Sequence, residues 1–180
     1  MTSLAAAPAG TVTRLWRTPV IVGSVSLDGI TIPVPAPGGP PTGELAIDPA
    51  SLAVLERQFL EAMQQLADGD AGPPVTSVRV TVSAWRAGYD DAAFTAQCQY
   101  AGWTILAASC QPVTEAGCLT FSDPRAGSAM TAVPGLPFGR QLPVRPVPGA
   151  HVVVPGWLTA SVIPLQAGQV ITVATAWSAR

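Results

Sequence analysis

With 180 residues, 48% of them hydrophobic, and a net charge of −2, the chain is long enough for one substantial core and too apolar to be disordered. Charged residues make up only 11%, against roughly 25% in an average globular chain, and all nine basic residues are arginine. No cluster of cations is available to neutralise a phosphate backbone and no apolar run reaches the length of a membrane span, so nucleic acid and bilayer are excluded as expected partners.

Residues 1–10 lack a basic start and a long apolar stretch, which predicts a flexible tail and not a secretory signal. Arg14 to Val22 reads as an opening strand. Residues 33–43 hold five prolines and three glycines and predict a loop. Asp48 followed by Pro49 is an N-cap and first-turn pair. Leu52, Leu55, Phe59, Met63 and Leu66 then recur at helical spacing, so a helix with one apolar face is expected over 49–67, stopped at Gly69. From Val75 the pattern changes to β-branched alternation. Strands are expected at 75–82, 93–99, 104–111, 117–121, 141–147, 151–154, 160–164 and 170–177. One helix ahead of a run of short strands predicts a single mainly-β domain over 1–180, a jelly roll with the helix packed on an outer face. The three cysteines, Cys98, Cys110 and Cys118, have no metal-ligand spacing and are expected as reduced thiols in a cytoplasmic protein.

Four stretches carry a resemblance. They are Leu15-Trp16-Arg17-Thr18-Pro19-Val20; Gly117-Cys118-Leu119-Thr120-Phe121-Ser122-Asp123-Pro124-Arg125; Pro148-Gly149 through Val154-Pro155-Gly156-Trp157-Leu158-Thr159-Ala160-Ser161-Val162; and Val170-Ile171-Thr172-Val173-Ala174. In this order they resemble the segments of a family of iron(II)/2-oxoglutarate oxygenases. The resemblance implies a double-stranded β-helix, a cupin-like jelly roll. It also implies a ligand pair two residues apart on one strand, a distant histidine, and an arginine for the cosubstrate carboxylate. Those roles fall here on Gln97, Gln99, Ala160 and Val170, and the aromatic pair after the ligand strand becomes Ala107 and Ala108. A neutral amide is a poor ligand for iron, and alanine and valine offer none. The sole histidine is His151, so a degenerate member without metal or cosubstrate is expected, and no cofactor.

Gln97 and Gln99 are expected to face the barrel interior, holding either a polar ligand group or each other. Trp103, Tyr100 and Tyr89 are placed near the pocket mouth, as ligand-stacking rings or as ordinary core. Arg125 either binds an anion or pairs with Asp123 in a turn. His151 reads as a structural residue, with a Cys98–His151 nucleophile pair as the remote alternative.

Two functional expectations follow. One is a cofactor-free cyclase or isomerase of bacterial secondary metabolism that folds an apolar small molecule in the old cavity. The other is a non-catalytic subunit that stabilises a partner enzyme, or pairs as a homodimer. An open pocket lined by Gln97, Gln99 and Trp103 favours the first; a barrel packed solid favours the second.

Overall fold

The computed structural model describes residues 11–15, 18–69, 72–89, 96–109, 115–122 and 141–179. Among them stand ten strands and one helix: β1 Thr11–Leu15, β2 Thr18–Ser24, β3 Thr42–Glu44, α1 Pro49–Gly69, β4 Val78–Arg86, β5 Tyr100–Ala108, β6 Leu119–Ser122, β7 Leu142–Val144, β8 Ala150–Pro155, β9 Thr159–Val162 and β10 Val170–Ser178. Seven strands form one antiparallel sheet in the order β1-β2-β8-β5-β10-β4-β3, and three form another in the order β7-β6-β9.

Alternation along each strand of the large sheet divides its side chains between two cores. Ala101, Trp103 and Ile105 of β5, Val152 and Val154 of β8, and Ile171 and Val173 of β10 point toward the small sheet. There they meet Leu119, Phe121, Val144, Ala160 and Val162. The intervening residues Tyr100 and Leu106, Val153, and Ala174 and Ala176 face α1. The helix lays Leu55, Phe59, Met63 and Leu66 on that second face, all fully buried. Each such side chain contributes roughly 1.5–3 kcal/mol of apolar burial. Gly102 lets the helix come close, since a Cβ there would stand 2.9 Å from the Phe59 ring.

The start of α1 is fixed as the Asp-Pro signal requires. Asp48 accepts the Ser51 backbone N–H at 2.9 Å and the Ser51 hydroxyl at 2.6 Å, and these bonds hold its carboxyl below the usual carboxylate range. The same Ser51 oxygen accepts the Thr31 N–H at 2.8 Å, tying the incoming loop to the helix. Ser51→Ala removes both links at a site that is 1% exposed; a loss of about 1–2 kcal/mol in urea unfolding is expected, and an unchanged midpoint would refute the role.

The helix was legible to within two residues, and Gly69 forms its last residue, not a cap beyond it. The opening strand is two, β1 and β2, paired as Leu15 with Thr18. β3 was missed because it lies in the Pro/Gly stretch; it pairs with β4 through Thr42, Gly43 and Glu44. The strand expected at 93–99 does not exist over its described part. Residues 97–99 form a bend, and β5 starts at Tyr100.

Candidate functional site

The place where the resemblance puts an iron site is the space between the sheets, beside β9. Ala160 lies there, 1% exposed, opposite Phe121 in the β6–β9 register. The Phe121 ring is fully buried and sits 5.4 Å from that of Trp103, tilted by 56°. Trp103 itself is 3% exposed. These side chains, with Leu158 and Val173 in the same cluster, make the lining of the region apolar.

Gln97 and Gln99 do not point into it. Gln97 is exposed and Gln99 half-buried, its Nε2 reaching the Pro73 carbonyl at 3.4 Å. Their neighbours Ala96 and Cys98 are the ones packed against the inter-sheet cluster. The cause is a clamp around Gly156. Its N–H donates to the Gln99 carbonyl and its carbonyl accepts the Ala96 N–H, both at 2.9 Å. The Cys98 thiol then donates to the Tyr100 carbonyl at 3.0 Å. A bend of this kind shifts the alternation by one residue, and a one-residue shift exchanges the faces of every side chain it carries.

The other sequence candidates separate as well. Tyr100 is buried on the helix side of the large sheet, the opposite face from Trp103. Tyr89 stacks on Trp85 at 5.0 Å. Val170, the first residue of β10, turns away from Ile171 and Val173. It lines an outer groove of about 550 Å³ with Arg86, Gly168 and the Pro/Gly loop. The inward neighbour is the buried Ile171, so neither register supplies a cation. Arg125, with Asp123 and Pro124, and Cys110 lie outside the described residues.

His151 is fully buried beneath α1. Its Nδ1 shares a 2.8 Å hydrogen bond with the Thr104 hydroxyl, its ring lies 5.1 Å from Phe59, and its Nε2 has no hydrogen-bond partner. Burial alone pushes its pKa down to about 4, so it is neutral at pH 7. Cys98 packs on the other face of the sheet, which rules out a Cys98–His151 pair. Among the described residues no three His, Cys, Asp or Glu side chains are grouped to hold a metal ion. The residues at the family positions therefore do not fit an iron site: the wall is apolar, the amides are outside it, and the histidine is on the far side of a sheet.

Sequence reasoning missed a different cluster. On the inter-sheet face, where β4 and β10 run out past Trp103, Arg79 stands opposite Trp177 and Thr81 opposite Thr175. Arg79, Thr81 and Trp177 line a groove of about 390 Å³. The signal was present as a lone Arg at an inward position of the alternation in Val78-Arg79-Val80-Thr81-Val82, but nothing in the sequence said which face was inward.

No known family model and no curated protein sequence matches the chain. Solved structures do. A prolyl-4-hydroxylase from Pseudomonas putida superposes with a TM-score of 0.52 at 21% identity, over 74% of this chain and 71% of that one. AviO1 from Streptomyces viridochromogenes Tue57 gives 0.48 at 14%, over 86% and 75%. An oxidoreductase of the 2OG-Fe(II) oxygenase family from Burkholderia pseudomallei gives 0.46 at 11%, over 89% and 65%. The likeness to the first of these is one of fold, and with the sheet topology it makes the chain a double-stranded β-helix, mainly β with one helix among the described residues.

Proposed function

We propose that this chain is a metal-independent binding protein built on an oxygenase-like double-stranded β-helix, with no oxygenase chemistry of its own. The observation that carries the reading is the inter-sheet centre, where Ala160, Phe121 and Trp103 occupy the region that iron ligands would need. A buried apolar wall supplies neither the charge nor the lone pairs that hold a divalent cation. The cyclase or isomerase expected from the sequence depended on inward amides at Gln97 and Gln99. Their outward placement removes the donors that were to orient a substrate between the sheets, so the reading rests on binding without turnover at a site outside that apolar centre.

A partner-stabilising subunit is the second reading, favoured by the buried apolar side chains that face one another between the sheets. Large apolar side chains exposed among the described residues are Val34, Val147 and Trp157, each in a separate connecting segment, and scattered single residues do not make an interface.

The test is direct. The purified chain, supplied with iron(II), 2-oxoglutarate and oxygen, is expected to release no succinate above a protein-free control. It is also expected to bind 2-oxoglutarate no more tightly with iron(II) than without. Metal-dependent binding of 2-oxoglutarate, or succinate release that Ala160→Asp abolishes, would overturn the proposal.

A further inference from the structure

The geometry points to the groove of Arg79, Thr81 and Trp177 as a binding site for a planar apolar molecule that carries a carboxylate. This rests on the reading of the chain as a binding protein and names the ligand class that its open end takes.

Three observations converge. First, the groove lies on the inter-sheet face of the large sheet: Trp177 packs against the same cluster as Trp103 and Phe121, and Arg79 is its cross-strand partner. Second, its polar groups are unspent. Among the described residues Arg79 has no hydrogen bond or ion pair, and neither the Trp177 indole N–H nor the Thr81 hydroxyl has a hydrogen-bond partner. Arg86 gives the contrast, spending its guanidinium on the Pro40 and Ala36 carbonyls at 3.1 and 3.0 Å. Third, the strand order fixes the spacing. Directly opposed residues of an antiparallel pair stand about 4.5–5.5 Å apart and diagonal ones about 7–8 Å. The side chains of Arg79, Trp177 and Thr81 thus leave the sheet as near neighbours on one face.

The chemistry of that patch is one-sided. A guanidinium donates through five N–H groups and accepts nothing, and an indole N–H only donates. The matching ligand group is an acceptor with negative charge, and a planar carboxylate fits the guanidinium fork in two parallel bonds. The half-buried indole beside it supplies an apolar wall against which a ring system gains contact that a bare anion does not. The volume, about 390 Å³, is of the size of small-ligand sites.

The experiment follows the Trp177 indole N–H resonance of the ¹⁵N-labelled full chain, assigned with Trp177→Phe, during titration with 2-naphthoate, its neutral amide 2-naphthamide, and inorganic phosphate. 2-Naphthoate is expected to shift the Trp177 resonance. Its Kd should rise at least tenfold in Arg79→Gln, a substitution at an exposed position that leaves the remaining spectrum unchanged. 2-Naphthamide should bind at least tenfold more weakly. A Trp177 resonance unmoved by 2-naphthoate, or equal affinity in Arg79→Gln, overturns the assignment. Phosphate acting as well as 2-naphthoate would replace it with a simple anion site. Succinate release in the oxygenase assay would instead strike the reading beneath it and leave the Arg79 result standing.

Discussion

Acidification from pH 7 to 4 is expected to cost the fold about 3 kcal/mol through His151 alone. The imidazole is fully buried between α1 and the large sheet, with Phe59 against its ring and no partner for Nε2. Its pKa falls from 6.5 to about 4 for one cause, loss of water. In the unfolded chain the ring takes up its proton near pH 6.5, while in the folded chain it resists until about pH 4. Between those values the unfolded state binds more protons, so stability drops as pH falls and levels off below the folded pKa. Each unit of difference is worth about 1.4 kcal/mol. Asp48, held low by Ser51, also loses stability toward the acid end, but it is present in both proteins compared and cancels between them. The check compares urea unfolding of the parent and of His151→Gln at pH 7 and pH 4.5. The acid loss should be smaller in the variant by about 2–3 kcal/mol. An identical loss in both proteins would mean the ring is already hydrated or charged.

The second large effect is expected at Gly156. A Cβ there would collide with the Cys98 carbonyl oxygen and lie 3.1 Å from that of Ala96. Both obstacles are backbone, so neither swings aside as a flexible side chain does. The same residue makes the two 2.9 Å bonds that close the bend. Gly156→Ala should therefore push residues 96–99 off the turn between β8 and β9 and pull Ala96 and Cys98 out of the inter-sheet cluster. A destabilisation of about 2–3 kcal/mol is expected, in the range of overpacked sites. Hydrogen exchange should accelerate first at Ala96 and Gly156 amides. Wild-type stability with unchanged exchange would show that the clamp is slack.

That clamp also marks where the sequence stopped being readable. The helix was legible because five large side chains repeat at one spacing and an Asp-Pro pair opens it. Most strands were legible because Val, Ile and Thr alternate between turns, and the motifs in series pointed to the right architecture. What failed was orientation at a single bend. Strict alternation carried back from β5 would give Gln97 and Gln99 the same face as Ala101. The bend breaks it through a contact between residues 98 and 156, and no local pattern announces a contact so distant in sequence. The same limit hid Arg79 and Trp177. They are 98 positions apart and become neighbours only because β10 chose β4 as a partner. His151 lies under Phe59 with its Nε2 unpartnered, an environment that a lone histidine in a β-strand pattern does not announce.

The strand order carries one consequence for how the molecule comes into being. β5 lies between β8 and β10, and β4 pairs with β10 and with β3. A nascent chain that has emerged through residue 109 therefore owns β5 with neither neighbour made, its Trp103 and Ile105 uncovered. Closure of both cores waits for the last strand, and the entropy of joining ends so far apart slows the search. Until then the half-made sheet is an adhesive edge. Yield in a foreign host should accordingly depend on growth temperature and on holding chaperones more than on the stability of the finished fold.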